Sequence, residues 1–122
     1  MRNSRIVNLA QSSATITSTW SPKVIAELNN IQFKLARVQG DFVWHSHEET
    51  DEAFIVVKGA LVIEFRDQSF TINEGELFVV PSGVEHITRA YEECHILIIE
   101  PRGVVNTGET NSPLTAPLDQ WI

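Results

Sequence analysis

The 122-residue sequence predicts an all-β domain of short antiparallel strands with one short N-terminal helix, and three observations predict it. Between Ile31 and Glu100 the chain breaks into short runs rich in Val, Ile, Leu and Phe, the branched and aromatic residues that suit a pleated surface. Turn residues punctuate these runs at Gly40, at Lys58 and Gly59, at Asp67 and Gln68, at Glu74 and Gly75, and at Ser82 and Gly83. Apolar and polar residues alternate within a run: Leu61, Ile63 and Phe65 point one way, Val62, Glu64 and Arg66 the other.

Taken in order, residues 14–20 read as an N-terminal strand that pairs at a sheet edge or crosses to a second subunit. Residues 21–30 read as the helix, with Ser21 as its cap, Pro22 at the first helical position and asparagine at its exit. Past Gly59, Phe70 and Ile72 continue the inward set beyond the turn at Asp67 and Gln68, with Ser69 and Thr71 outside. Residues 76–80 form a strand bracketed by Gly75 and by Pro81 and Gly83. Glu92 and Glu93 read as a turn, after which His95 begins the final strand and Pro101 ends it. The runs 54–57 and 96–99 are apolar on both faces, which calls for a second layer or a partner; a small sandwich or barrel that dimerises satisfies both. Residues 101–122, with three prolines and two glycines, form a tail whose Leu118, Trp121 and Ile122 either dock on the domain or fray. The expected organisation is an N-terminal strand and helix over residues 1–30, a β-domain over 31–100 and a tail over 101–122.

Composition narrows the function classes. A hydrophobic fraction of 43% with 20% charged residues describes a globular chain. A net charge of −7, with no cluster of lysine or arginine, argues against a nucleic-acid backbone or an anionic membrane surface as partner. Residues 1–20 hold no signal-peptide core, and no run approaches the roughly 18 apolar residues of a membrane span, so the expected location is the cytoplasm. Cys94, the sole cysteine, cannot form an internal disulfide, and Glu92 and Glu93 beside it should raise its pKa.

Chemistry concentrates in two stretches. His45 and His47 are two apart, so on an extended backbone they share a face and can converge on one ion. Glu52 begins the next strand after an acidic turn, and the turn at Gly83 hands the chain to His86, a third imidazole arriving from across the barrel. Three imidazoles and a carboxylate suit a first-row divalent metal, whereas structural zinc sites lean on thiolates that this chain lacks.

In both stretches the sequence resembles the cupin superfamily. The first family motif, G-x5-H-x-H-x3,4-E-x6-G, is matched by Gly40, His45, His47, Glu52 and Gly59, although only four residues separate Gly40 from His45. The second, G-x5-P-x-G-x2-H-x3-N, is matched by Gly75, Pro81, Gly83 and His86, with Ala90 in place of asparagine. The resemblance is nearest to small single-domain cupins similar to the mannose-6-phosphate isomerase class. It implies a jelly-roll β-barrel over residues 31–100, one divalent metal held by His45, His47, Glu52 and His86, and a homodimer.

A three-His, one-Glu set leaves coordination positions open for a ligand or water, and Fe, Mn, Ni, Zn, Co and Cu all suit it. The expected function is therefore that of a metal-dependent enzyme acting on a small oxygenated molecule, of sugar-isomerase or dioxygenase type. The alternatives are a non-catalytic cupin that binds or senses a small ligand, and a metal that chiefly stabilises the fold. Phe54, Phe65, Phe78, Tyr91 and His95 are candidates to line the substrate pocket, and Lys34, Arg37, Lys58 and Arg89 are scattered cations that offer a candidate binder of a substrate carboxylate or phosphate. No general base is identified.

Overall fold

The computed structural model describes residues 4–122, so residues 1–3 of the expected N-terminal segment lie outside the described residues. In chain order its elements are α1 (Leu9–Ala14), β1 (Lys23–Leu28), β2 (Ile31–Asp41), β3 (Glu52–Lys58), β4 (Ala60–Phe65), β5 (Ser69–Asn73), β6 (Leu77–Val80) and β7 (His86–Pro101). The one short helix is present but stands elsewhere than expected. It is capped by Asn8, whose side-chain oxygen accepts from the Gln11 amide at 2.9 Å. The segment expected to be helical is β1 instead, paired antiparallel with β2 through a tight turn in which Asn29 takes a φ of +55°. The serine, proline and asparagine signals serve a strand entry and a turn as well as a helix, and the β-branched Val24 and Ile25 pack as buried strand residues. Residues 14–20 form no strand; Thr19 makes a single bridge to Arg37.

The strands form one antiparallel seven-stranded sheet. Its path is β1-β2-β7-β3-β6, with β4 attached to β7 and β5 attached to β4. The 16-residue β7 is the hub. It pairs with β2 on both sides of a register shift (Val38 opposite Cys94, Gly40 opposite Ala90), with β4 at its N-terminal end (Arg89 opposite Val62) and with β3 at its C-terminal end (Ile98 opposite Phe54). Residues 92–94 lie within β7 rather than in a turn, at the place where its register with β2 shifts. The expected jelly-roll β-barrel is also corrected: among the described residues no pairing joins the outer strands, and the sheet is not closed into a barrel. β5 and β6 follow each other in sequence without pairing, because the turn between them bonds to β3: the Gly75 amide donates to the Val56 carbonyl at 2.8 Å and the Val56 amide to the Glu76 carbonyl at 3.2 Å.

Alternation divides the sheet residues into two sets. One face carries Ala36 and Val38 of β2, Phe54 and Val56 of β3, Leu61 and Ile63 of β4, and Cys94, Ile96 and Ile98 of β7. The other carries Leu35 and Leu97, which pack with Ile16 and Ile25 and with half-buried Val7, Leu9, Ile55, Val57 and Ile99. The N-terminal segment is thus the second layer that the doubly apolar runs call for. Burial accounts for Cys94 as well: desolvation, with a smaller push from Glu74, raises its thiol to about 11.

Among the described residues no helix is long and apolar enough to cross a membrane. The covering role of the N-terminal segment is directly testable. Ile16→Ala, at a position 4% exposed, should cost about 3 kcal/mol in urea unfolding, while Ile6→Ala, at a position 99% exposed, should leave stability within error. Equal behaviour of the two variants would contradict the second layer.

Candidate metal centre

His45, His47, Glu52 and His86 come together, all buried, with one ligand atom from each within 4.8 Å of the others. His45 and His47 sit on an extended segment outside the regular strands, between β2 and β3. His86 opens β7 and is the direct backbone neighbour of His45 rather than a residue arriving from the far side. The two exchange a pair of amide-to-carbonyl hydrogen bonds, each 2.9 Å. The turn of the second motif holds the first in place, since the Gly83 amide donates to the His47 carbonyl at 2.9 Å and the Ser82 amide to Asp51 Oδ1 at 2.8 Å. Gly83 has a φ of +77°, a conformation glycine adopts without the clash a Cβ brings.

Local carbonyls orient two of the rings. His45 Nδ1 lies 2.8 Å from the Val43 carbonyl and His86 Nδ1 2.9 Å from that of Val84. A proton on Nδ1 donated to those carbonyls leaves Nε2 of each ring as the free lone pair, the arrangement metal-ligating histidines use. His47 Nε2 and His86 Nε2 face Glu52 Oε1 at 3.5 and 3.4 Å. These three atoms are buried without a hydrogen-bond partner. Orphaned polar atoms at such depth are costly, and a divalent cation among them would satisfy all three at once. The donor set fits a metal.

Burial, reinforced by the neighbouring His86, lowers the pKa of His45 to about 4. Burial alone would raise Glu52, yet the close approach of the His47 and His86 rings, with a smaller effect of Glu100, holds it well below the usual carboxylate range. Glu100 behaves oppositely, pushed well above its ordinary value by burial and by the charge of Glu52, against the opposing pull of Lys34. Glu100 Oε2 pairs with Lys34 Nζ at 2.9 Å, both side chains buried. Two buried carboxyl groups so near each other cannot both ionise cheaply, and Glu100 Oε1, like Glu52 Oε1, is buried without a hydrogen-bond partner.

A narrow cavity of about 30 Å³ adjoins this cluster, lined by His45, Glu52 and Glu100 and walled by apolar side chains that include Trp20, Phe42 and Phe54. Of the residues expected to line a substrate pocket, Phe54 alone lies there. Phe65 and Phe78 instead form an aromatic cluster with Phe70, with ring centroids 4.7–5.9 Å apart, against the main core. Tyr91 is 82% exposed. His95 belongs to the opposite face, its Nδ1 2.9 Å from Ser13 Oγ of the helix. Arg37 and Arg89 are engaged by Glu93 and by Asp41 and Glu64 away from the cavity. The residues that sequence reasoning missed are Glu100, Trp20 and Asn106, while Lys34, a candidate cation, pairs with Glu100. For Glu100 and Lys34 a signal existed: each is a charge in an apolar run, in phase with residues of the cavity face, Ile96 and Ile98 in one case and Ala36 and Val38 in the other.

The model of the family described as the cupin domain matches residues 34–100. The chain is a cupin. This cupin is similar to the crystal structure of a cupin-2 domain containing protein from Shewanella frigidimarina NCIMB 400, at 54% identity and a TM-score of 0.78 over 80% of this chain and 95% of that one. It is also similar to protein NMB1881 from Neisseria meningitidis, at 37% identity and a TM-score of 0.73 over 80% of this chain and 99% of that one. The uncharacterized protein YdbB of Bacillus subtilis strain 168 is 35% identical over 77 residues, 62% of this cupin and 68% of YdbB. The family match ends at residue 100, so the segment beyond β7 lies outside it.

The depressed basicity of His45 gives the metal-free cupin a defined pH response. The unfolded chain takes up this proton near pH 6.5 and the folded one only near pH 4. The stability contributed by the neutral ring is therefore complete above about 6.5 and is lost as pH falls toward 4, by on the order of 3 kcal/mol. Thermal melts of the metal-free protein should fall across that window, and His45→Asn should flatten this part of the profile. Parallel profiles in the two proteins would contradict the assignment.

Proposed function

We propose that this cupin is a metal-dependent enzyme acting on a small oxygenated molecule held in the cavity beside the cluster, with His45, His47, Glu52 and His86 as ligands of one divalent transition metal. The observation that carries the reading is the convergence of three partnerless buried atoms, His47 Nε2, His86 Nε2 and Glu52 Oε1, next to a cavity that His45 and Glu52 also line. Such a metal supplies Lewis-acid polarisation of a ligand oxygen at a coordination position the four side chains leave open.

The chain's own residues divide the remaining work. Trp20 and Phe42, stacked with centroids 4.7 Å apart, and Phe54 shield the ligand from water. Trp20 takes a φ of +57°, and its indole nitrogen donates to the Gln39 carbonyl at 3.0 Å, so a strained backbone is held where the ring is needed. Glu100 is the acid–base group that faces the ligand, set against Glu52 and anchored by Lys34. An isomerase would use this arrangement through proton transfer at Glu100, whereas a dioxygenase would use it chiefly to exclude water around the redox chemistry a bound metal would supply.

Elemental analysis of protein purified without added metal tests the ligand set. Wild type should carry close to one transition metal per chain and a His47→Ala, Glu52→Ala variant far less; equal content would sink the reading. Substrate screens with the identified metal then separate the types. Turnover without oxygen supports the isomerase and oxygen consumption the dioxygenase, while ligand-dependent melting shifts with no turnover would replace enzyme by binding protein. In an isomerase, Glu100→Gln should lower kcat by about 100-fold and keep its metal.

A further inference from the structure

We propose that residues 106–110 of the C-terminal segment are a working part of the metal centre, clamping the backbone that carries His45 and His47 so that Gly108 and Thr110 act as positioning residues for metal binding. The inference rests on the metal-binding reading above. Its starting point is how little sheet pairing holds the His-x-His segment. That segment lies outside the regular strands, and its backbone bonds to the rest of the domain include one from the Phe42 amide to Thr88, the pair with His86 and one from Gly83 to the His47 carbonyl. All of these come from the His86 side. Segments with few backbone bonds open at low cost, yet a metal site needs its ligands held to a fraction of an ångström.

The opposite side is held by the C-terminal segment. Thr110 Oγ1 donates to the Trp44 carbonyl at 2.9 Å, just before the first histidine. Gly108 lies against the backbone of Ser46, the residue between the two histidines, so closely that an added Cβ would collide with the Ser46 carbonyl oxygen. The clamp is itself braced. Thr107 is fully buried, with its hydroxyl 2.7 Å from that of Thr115. The Asn106 amide bridges three backbone groups: its nitrogen reaches the Leu114 carbonyl at 3.0 Å and the Trp20 carbonyl at 3.4 Å, and its oxygen accepts from the Ala116 amide at 2.9 Å. Asn106 also lines the cavity with His45 and Glu52, so the strap that clamps the ligands forms part of the cavity wall. Farther along, the Val24 amide donates to the Gln120 carbonyl at 2.7 Å and fixes the end of the segment to β1.

A matched pair of glycines separates clamping from backbone strain. Gly108 and Gly103 both have positive φ, +60° and +88°, in the same segment, but a Cβ on Gly103 would meet nothing within 4 Å. Metal-free wild type, Gly108→Ala, Gly103→Ala and His47→Ala are titrated with Co(II), and affinity, the visible spectrum of bound cobalt and the metal-free melting temperature are recorded. Gly108→Ala should bind Co(II) about tenfold more weakly, with an altered spectrum, while Gly103→Ala stays within about twofold of wild type. Gly108→Ala binding as tightly as wild type, or Gly103→Ala weakening equally, overturns the proposal. Should Gly108→Ala fail to fold, Thr110→Val decides: it should weaken Co(II) several-fold while Thr110→Ser restores it, and wild-type affinity in Thr110→Val overturns the clamp. Wild type binding no better than His47→Ala would instead fail the metal reading itself.

Discussion

Everything in this protein is organised around holding polar atoms where burial makes them expensive. Three imidazoles and a carboxylate occupy the interior, and leaving a buried donor or acceptor without a partner costs about 1–3 kcal/mol apiece. The surrounding framework must be stiff enough that these groups do not escape by rotating toward solvent. That stiffness comes from the paired amides of His45 and His86 and from the carbonyls of Val43 and Val84, which fix two rings through the nitrogen that does not face the cluster. Lys34 extends the same logic outward. Its charge lies beside Glu100, which in turn lies against Glu52, so a buried acid is compensated in steps rather than by one partner.

The sheet supplies geometry by parity. Because side chains alternate, Ala36 and Val38 of β2, Phe54 of β3 and Ile96 and Ile98 of β7 contribute to the cavity face, and Leu35, Ile55, Leu97 and Ile99 between them meet the N-terminal segment. Phe54 and Val56 continue inward the line that Glu52 begins, and Ile96 and Ile98 lead to Glu100. A single apolar layer thus both builds the core and aims the polar groups. The helix and residues that follow it cover the reverse side, which allows the same strands to be apolar on both faces.

Much of this was legible in the residue order. The His-x-His pair, the carboxylate after an acidic turn and the later histidine after a Pro-x-Gly turn carry their spacing with them, and the alternation around Leu61 and Ile63 places those side chains correctly. The failures have identifiable causes. Ser21, Pro22 and the asparagine pair are punctuation shared by helices, strands and turns, so they point to a helix where β1 stands, while the six-residue α1 is too short to display a period. Closure of a sheet depends on which distant edges bond, and the bonds from Gly75 and Glu76 to Val56 that divert the chain between β5 and β6 leave no local pattern. For Tyr91 and His95 the residue type suits a pocket wall, but the face each takes is set by the strand that carries it. On one uninterrupted strand, Tyr91 is left in solvent and His95 falls out of phase with the cavity.

β7 has one more consequence. It delivers His86 at its first residue and Glu100 near its last, both on the cavity face, with Thr88, Ile96 and Ile98 between them on the same side. The strand therefore works as a ruler whose divisions are residues, and its two ends keep their relation only while the count between them stays even. Substitutions along it can accumulate one at a time, each judged by its own packing. A one-residue insertion or deletion beyond the register shift between residues 90 and 94 has no such gradual path unless a new bulge absorbs it, because it would otherwise turn Glu100 away from the face of its anchor Lys34 while leaving His86 untouched. Variation in chain length is thereby steered out of this strand and into the turns and termini, where the parity of the cavity is not at stake.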